Sequence, residues 1–458
     1  MPAMHRSPPG RRPHDARGIA LSGATTGAAH AYERALCAAR SWRMGADAWL
    51  DDALHAAPAF VMAHALRAYL LLCSRDPRQH RAARTVLDAA RGLPADRFER
   101  LHLAAIGAAL DDDLGRMRAC LDRLLDARPH DLLALQVAQS IDYLTGDTVR
   151  MGARVGATLR RLSPGMPGYG SALAMHAFAL VETGDLARAE DAARRALELD
   201  PMDARAHHAM AHVFEMSERP DEGLRWMHAH AAAWSDGTTF ATHGWWHTAL
   251  FHLARGDAAC ALAIYDRQAP HPRLSPALSD LIDATSLLWR IRLQARDADV
   301  GGRATDLALA WEPHIEDGTC SFADVHAMLA FAMADDGGRA ERLEQALLRS
   351  AARPTRHGET TRELGLPAVR ALRAFVRGDL MVAIALLASL SPVAHRLGGS
   401  HAQRDVLPLT LVAAVEGARR PARVARHYRP TSANGRERSP PVGHVLPAIA
   451  QAGAMQAP

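Results

Sequence analysis

Residues 172–201 read ALAMHAFALVETGDLARAEDAARRALELDP, and their pattern indicates the fold class most clearly. In the first half Leu173, Ala177 and Leu180 share one helix face with His176. In the second half apolar and small side chains recur at the same 3.6-residue period, at positions 186, 189, 193, 196 and 197. Between the halves lies Gly184-Asp185. Glycine readily adopts the positive φ that ends a helix, and aspartate can cap the next one. The stretch therefore predicts two antiparallel helices joined by a tight turn.

The same unit recurs along the chain. Proline follows each predicted helix pair at intervals of roughly 35–43 residues, with two units in the longer gap between Pro201 and Pro270, divided near Trp234. Further Gly-Asp turns stand at Gly146, Gly256 and Gly378. Each pair needs neighbours to cover its outer face. The pattern predicts an all-α fold, an α-α superhelix or solenoid of about eleven helix pairs.

Several strings carry a family resemblance. The spacing of Gly184, Ala189, Ala196 and Pro201 resembles a tetratricopeptide repeat. Seven ordered strings are similar to the tetratricopeptide repeat protein 38 family: AFALVETGDLARAE (177–190), HAMAHVFEM (208–216), HGWWHTAL (243–250), YDRQ (265–268), DATSLLWRIRL (283–293), FADVHAMLAF (322–331) and GGSHAQRD (398–405). The resemblance implies a tetratricopeptide-like helical-repeat fold and no particular reaction.

Charge and composition exclude several functions. The 458-residue chain has no lysine, which removes Schiff-base chemistry, a phosphate-loop lysine and a lysine general base. The formal net charge is +4, but the excess arginine lies in residues 1–20 and 419–438, and the body between them is mildly acidic. No arginine stripe runs along that body, so we expect no nucleic-acid partner.

Composition also suggests the domain limits and the compartment. We predict a disordered Arg/Pro-rich tail over residues 1–20, the solenoid over 21–434, most characteristic over 165–405, and a flexible tail over 435–458. The N-terminus has no apolar signal region, and no apolar run approaches the roughly 18 residues that span a bilayer. Five scattered cysteines without a CxxC pair fit a reducing compartment. We therefore expect a cytoplasmic protein without membrane contact.

The middle of the chain is rich in histidine and tryptophan. Residues 207–252 hold eight of the 25 histidines, and six of the eight tryptophans lie between 226 and 311. His208 and His212 are one helical turn apart with Glu215 three residues on, and His243 and His247 form a second such pair. On adjacent helices these pairs can meet. His212, Glu215, His243 and His247 are then candidate metal ligands, or Glu215 orients a histidine for acid–base chemistry.

Other polar residues extend this candidate groove. We expect Arg290 to pair with a buried acid such as Asp283, with an anion anchor as the alternative. Asp324 and His326 are two residues apart and do not share a helix face, so their convergence needs a loop or cap. Gly398-Gly399 permits an unusual turn, after which Ser400 can cap a helix. The remaining candidates are Trp246, His401, Arg404 and Asp405.

Three interpretations of this segment stay open: a structural polar core, for example through a His212–Glu215 pair, a ligand-binding groove, and a catalytic or metal site. The motifs GxSxG, HExxH and GxGxxG after a strand are missing. The favoured function is a scaffold that binds a protein or peptide partner, without a cofactor. The alternative is a small-molecule or metal-dependent, hydrolase-like enzyme inside the superhelix, and pH sensing through histidine is a third.

Overall fold

The computed structural model of the chain describes residues 13–74, 76–268, 277–295 and 298–419. These described residues form no strand, and their β-type pairing is limited to the isolated bridges His14–Ala20 and Arg43–Thr238. Helices that follow one another along the chain pack as neighbouring pairs. The predicted all-α fold made of helix pairs is therefore confirmed. The described helices divide into two compact units.

The first unit comprises the described parts of residues 1–142, 148–209 and 236–240. Its helices are α1 (Thr26–Arg40), α2 (Ala46–Ala56), α3 (Val61–Cys73), α4 (Pro77–Arg91), α5 (Arg97–Leu110), α6 (Leu114–Ala127), α7 (Leu132–Leu144, to residue 142), α8 (Thr148–Leu159), α9 (Tyr169–Glu182), α10 (Leu186–Leu199) and the start of α11 (Ala204–Met216). Pairs such as α1–α2, α3–α4, α5–α6 and α9–α10 give this unit its hairpin organisation.

The hairpin quoted above forms as predicted, from α9 and α10. Gly184 has a φ of 82° and ends the first helix. Asp185 stands at the N-cap of α10, but its carboxylate accepts from Arg188 Nη1 at 2.9 Å and makes no capping hydrogen bond. Leu173 and Ala196 meet in the core between the two helices. The turn thus depends on the glycine conformation rather than on a side-chain cap.

Residues 13–20 are ordered, which corrects the prediction of a disordered tail over residues 1–20. The Arg17 side chain is buried and donates to Asp15 Oδ2 at 2.7 Å and to Glu33 Oε1 at 2.8 Å. The Asp15 carboxylate also accepts from the backbone N–H of Ile19 at 2.8 Å. These bonds close a loop that composition alone does not reveal. Residues 1–12, the end of the predicted solenoid from 420 and the predicted tail from 435 lie outside the described residues.

The second unit comprises the described parts of residues 143–147, 210–235 and 241–458. It holds the rest of α11 and α12 (Pro220–Ala229), α13 (Ala231–Trp234), α14 (Ala241–Ala254), α15 (Ala258–Gln268), α16 (Leu278–Gln294), α17 (Gly301–Trp311), α18 (Ser321–Met333), α19 (Gly337–Ala351), α20 (Arg356–Thr360), α21 (Leu366–Arg377), α22 (Leu380–Leu390), α23 (His401–Arg404) and α24 (Val406–Arg419). The 3-10 segments Glu312–His314 and Ser391–Leu397 and the π-helical turn Thr361–Gly365 connect some of them.

Tryptophans build the core of the second unit. Trp289 and Trp311 are fully buried, and their indole N–H groups donate to Thr410 Oγ1 at 2.9 Å and to Thr285 Oγ1 at 2.8 Å. Trp234 is equally buried and donates to the backbone oxygen of Met227. A buried indole is stable when its single donor is satisfied, as it is here. These three tryptophans are therefore core residues that join helices.

A glycine turn positions the short helix α23. Gly398 and Gly399 have φ values of 80° and 82°, and a Cβ on Gly398 would lie 2.6 Å from the backbone oxygen of Leu144. The Ser400 hydroxyl then accepts from the backbone N–H of Gln403 at 3.2 Å, and the Gln403 side chain accepts from the Ser400 N–H. The predicted Ser400 cap is confirmed as a reciprocal capping box.

One stretch among the described residues, Leu380–Leu397, is long and apolar enough by composition to cross a membrane, with a mean hydropathy of 1.7. This corrects the prediction that no apolar run approaches that length. The stretch contains His395 and Arg396, but the apolar residues before them keep its mean hydropathy high. Ala383, Leu387 and Leu390 are buried, whereas Met381 and Val382 are exposed. The stretch comprises α22 and the 3-10 segment that follows it.

Candidate functional site

Four helices of the second unit bring polar side chains together. His212 and Glu215 come from α11, His243 and His247 from α14, Asp283 and Arg290 from α16, and Gln403 and Asp405 from α23 and the residue after it. We call these eight residues the polar cluster. His212, His247, Asp283 and Arg290 are almost completely buried. Such a concentration of ionisable groups is costly to bury without mutual pairing.

Three imidazoles stand at the centre of the polar cluster. Each of His212, His243 and His247 offers a ring nitrogen that lies within 4.8 Å of the others. The ring of His247 contacts those of His212 and His243 edge to face, with centroids 4.5 and 4.7 Å apart. Burial, followed by repulsion from the neighbouring imidazoles, lowers the pKa of His212 and His247 well below the ordinary value. Both rings are therefore neutral at physiological pH.

Carboxylates contact two of these rings. Asp283 Oδ2 lies 2.7 Å from His243 Nδ1, and Glu215 Oε2 lies 3.2 Å from His247 Nδ1. Glu215, which the sequence places one turn after His212, thus also reaches a ring on α14. Burial raises the pKa of Glu215 to about 7, although the nearby Arg290 guanidinium opposes that rise. Glu215 can consequently gain or lose a proton near neutral pH.

Arg290 occupies the middle of the acidic groups. Its guanidinium donates to the backbone oxygen of Ser286 at 3.1 Å and to that of Ala402, and lies over the Trp246 ring. Arg290 therefore does not form the predicted pair with Asp283 through a hydrogen bond, because backbone carbonyls accept from its guanidinium N–H groups. Its interaction with Asp283 is between their charges. Burial lowers the pKa of Arg290, while the charges of Asp405, Glu215 and Asp283 oppose that shift. Arg290 balances these carboxyl groups electrostatically.

Trp246 forms one wall of the polar cluster. Its ring stacks on His243, with centroids 4.9 Å apart and an interplanar angle of 15°. The indole N–H donates to Ser286 Oγ at 2.8 Å. The tryptophan therefore holds the His243 ring in a single plane from one side while Asp283 binds its edge. This side chain is a positioning residue as well as a core residue.

Sequence reasoning missed Gln403 and Tyr143. Gln403 Nε2 donates to Asp283 Oδ1 at 3.1 Å, and its Oε1 accepts from the Tyr143 hydroxyl at 2.7 Å. Asp283 thereby receives one donor on each carboxylate oxygen. The capping box of α23 fixes Gln403, and a glutamine three residues after Ser400 was the available signal.

The cluster reaches solvent next to α23. The His401 side chain is 57% exposed and lies 3.7 Å from Asp405 Oδ1, whose side chain is 28% exposed. Arg404 donates to the backbone oxygen of Gly399. Burial raises the pKa of Asp405, opposed by the charges of His401 and Arg290. Asp405 and His401 therefore stand at the exposed side of the buried histidines.

His208 precedes His212 by one helical turn on α11 and packs among aromatic side chains. It belongs to the first unit, where its ring packs against Trp42, Phe178 and Phe240 with centroids 5.1–5.2 Å away. An imidazole enclosed by three aromatic rings is a packed core group. The structure therefore places the predicted candidate His208 in an aromatic core.

Asp324 and His326 have different neighbours from the polar cluster. His326 Nδ1 bonds the backbone oxygen of Phe322 at 2.8 Å, and its ring packs on the Phe322 ring. Asp324 is buried on α18, and burial together with the charge of Asp317 raises its pKa to about 8. The helix places the two side chains on different faces, as their spacing predicts. Asp324 is thus an isolated buried acid within the described residues.

The Asp324 carboxyl gives a prediction for stability. Its pKa is about 8 in the folded chain and near 3.8 when unfolded, so the folded state binds more protons between these values and stability falls as the pH rises. We expect Asp324→Asn to raise the free energy of unfolding at pH 8 by roughly 2–4 kcal/mol and to change it little near pH 4. Denaturant unfolding at several pH values measures this. Asp52→Asn, at an exposed position, is the control; parallel pH profiles for wild type and Asp324→Asn would contradict the prediction.

No protein-family model matches the chain. Function is therefore inferred from the contacts of the polar cluster. These contacts comprise an oriented histidine in His243, a carboxyl that titrates near neutrality in Glu215, and a buried cation in Arg290. Together they can transfer protons, bind an anionic group and, through the three imidazoles, hold a metal ion.

Proposed function

We propose that the polar cluster is the active site of a hydrolase-like enzyme that acts on a small molecule. The observation that carries the proposal is that buried carboxylates lie against two histidines of one group: Asp283 Oδ2 binds His243 Nδ1 at 2.7 Å, and Glu215 Oε2 lies 3.2 Å from His247 Nδ1. A core with a purely structural role would not need so many ionisable side chains, because burying charged groups is costly. Buried acids and bases whose pKa values are displaced in opposite directions are typical of active sites.

Each side chain has a chemical role in this proposal. Asp283 accepts from His243 Nδ1 and so leaves the Nε2 lone pair directed away from the carboxylate. Glu215 accepts a proton from the attacking water and then delivers it to the leaving group. Arg290 stabilises the negative charge that develops on the substrate. His401 and Asp405 lie at the exposed side, where a substrate enters.

Water is the nucleophile that these surroundings favour. The Ser286 hydroxyl donates to the backbone oxygen of Asp283 and accepts from Trp246, and the Ser400 hydroxyl caps α23. Both hydroxyls are therefore engaged in holding helices. In the hydrolysis step the water oxygen forms the new bond to the substrate while the bond to the leaving group breaks. The proton removed from water by Glu215 is transferred to that group, which balances the reaction.

The test compares wild type with Glu215→Gln in a small-molecule extract from cells. The amide preserves the shape of the side chain but cannot accept a proton, so we expect a loss of about 100-fold or more in the rate at which a metabolite is consumed. Mass spectrometry of the extract over time identifies the substrate and the hydrolysis product. The measurement is repeated with the purified compound.

Glu198→Gln is the matched control, because Glu198 is an exposed glutamate outside the polar cluster. It should retain the wild-type rate. Consumption of no metabolite by the wild-type protein, or equal rates for wild type and Glu215→Gln with a confirmed substrate, would overturn the proposal. Circular dichroism of each variant separates a lost reaction from a lost fold.

The interaction scaffold and the tetratricopeptide repeat protein 38 family remain predictions from the sequence. One observation favours a protein or peptide partner as a second function: Met381 and Val382 are 70% and 54% exposed on α22. Contiguous exposed apolar patches are typical of interaction surfaces, and these two adjacent side chains are where such a patch would lie. Paired affinity purifications of wild type and a Met381→Asp, Val382→Asp double variant test this. A partner that only the wild type recovers supports the scaffold, and identical recoveries argue against it.

A further inference from the structure

We propose that His212, His243 and His247 bind one divalent transition-metal ion, with Zn²⁺ as the best fit. This inference rests on the proposed function, because it supplies that active site with a cofactor. All three residues belong to the second unit, and His212 and His247 are fully buried there. The two α14 histidines are one helical turn apart, so both can direct nitrogen towards the facing α11.

The distances between the nitrogens suit one ion after a small adjustment. The ring nitrogens lie within 4.8 Å of one another. Two nitrogens that coordinate the same Zn²⁺ tetrahedrally at about 2.0–2.1 Å are about 3.4 Å apart. Imidazole rings close such a difference by rotation about side-chain bonds, without movement of the helices. The three rings therefore resemble the His₃ ligand set of a catalytic zinc site, which keeps a fourth position for water.

Asp283 supplies the supporting interaction that metal-binding histidines usually have. Its Oδ2 lies 2.7 Å from His243 Nδ1, so Nε2 is the nitrogen that would coordinate a metal. Gln403 donates to the other Asp283 oxygen at 3.1 Å and fixes the carboxylate. A carboxylate bound to the outer nitrogen of a ligand histidine orients the ring and raises its basicity. This pairing distinguishes the site from a chance grouping of imidazoles.

Glu215 completes the surroundings of the ion. Its Oε2 lies 3.2 Å from His247 Nδ1, and its charge interacts with those of Arg290 and Asp405. A carboxylate there can serve as a fourth ligand or bind the metal-bound water as a base. The bound ion would increase the acidity of that water.

A second grouping of metal-ligand side chains is the main competitor within the second unit. His252, Asp257 and Cys260 also bring ligand atoms within 4.8 Å of one another. However, Asp257 Oδ1 accepts from the backbone N–H of Cys260, and Cys260 is exposed at the start of α15. We therefore expect this grouping to bind metal weakly at most. Cys260→Ser removes its thiolate and is used as the background for the test.

In the experiment, Zn²⁺ is titrated into the metal-free, full-length Cys260→Ser protein, and calorimetry measures the binding. Co²⁺ serves as a spectroscopic probe of tetrahedral nitrogen coordination. We expect one ion per chain. His247→Ala should lower the affinity by about 100-fold or more, and Asp283→Asn, which keeps all three ligands, by about 10–100-fold. His228→Ala is the matched control at an exposed histidine and should bind as the parent does.

Failure of this inference and failure of the proposed function give different results. No Zn²⁺ binding by the parent protein, or equal binding by the parent and His247→Ala, overturns the metal site. Glu215-dependent turnover that survives chelation leaves the enzyme proposal standing without the metal. Stoichiometric metal binding without any turnover supports the metal site and contradicts the enzyme proposal. Because Asp283→Asn removes no ligand, its intermediate affinity tests the site even where His247→Ala does not fold.

Discussion

Replacing Arg290 by methionine is expected to lower the free energy of unfolding by about 3–5 kcal/mol. The Arg290 guanidinium is buried, donates to the backbone oxygens of Ser286 and Ala402, and faces the charges of Asp405, Glu215 and Asp283. Methionine preserves most of the length of the side chain. It leaves those carboxyl groups without their buried cation and the Ala402 oxygen without this donor. Denaturant unfolding monitored by circular dichroism gives the difference.

Arg292→Met is the matched control for Arg290→Met. Arg292 lies on the same helix, is partly exposed, and donates over long distances to the backbone oxygens of Met333 at 3.3 Å and Ala332 at 3.5 Å. We expect its substitution to cost about 1 kcal/mol or less. Arg290→Lys keeps the charge, but a lysine ammonium cannot reach both carbonyls. Its decrease in the free energy of unfolding should therefore lie between those of the two methionine variants. If Arg290→Met and Arg292→Met are equally stable, Arg290 does not balance the polar cluster.

The helix pairs could be predicted because their causes are local. The apolar period of residues 172–201 identifies both helices, and Gly184 is required where φ is 82°. The same reasoning places turns at Gly146, Gly256 and Gly378, all of which have positive φ. The order of residues 13–20 could not be predicted in this way, since it depends on Glu33, which lies 16 residues after Arg17.

The members of the polar cluster could be predicted in part, but their pairings could not. Helical spacing identifies His243 and His247 as neighbours on one face. The bond from His243 to Asp283 joins residues 40 apart, and the one from Arg290 to Ala402 spans 112 residues. Such partners are decided by how helices dock, which no local pattern encodes. For the same reason the contact of Glu215 with His247 on α14 could not be predicted.

His208 shows what the spacing rule leaves open. It stands one turn before His212 on helix α11, and the spacing predicts that both residues lie on one face. The ring of His208 packs among Trp42, Phe178 and Phe240. Spacing predicts the face of a helix on which a residue lies, but it does not identify the side chains that pack against each part of that face.

Gly146→Ala is expected to destabilise the second unit by about 3 kcal/mol or more, and Gly184→Ala by about 1–2 kcal/mol. Both glycines have positive φ in Gly-Asp turns, 68° and 82°, so alanine is strained at either position. They differ in their surroundings. A Cβ on Gly146 would lie 1.9 Å from the backbone oxygen of His395, whereas a Cβ on Gly184 meets nothing within 4 Å. In Gly146→Ala the backbones at residues 146 and 395 must therefore move apart, whereas Gly184→Ala requires no such movement.

We expect Gly146→Ala to change the polar cluster as well as the stability. The segment from His395 leads through the Gly398-Gly399 turn into α23, which carries Gln403 to Asp283. Displacement of that segment should weaken the Gln403–Asp283 hydrogen bond and lower Zn²⁺ affinity as well as stability, which thermal denaturation and the zinc titration measure together. Gly184→Ala should leave the zinc affinity unchanged, since Gly184 lies in the first unit. Equal losses of stability in the two variants would mean that the close backbone approach at Gly146 does not hold α23 in place.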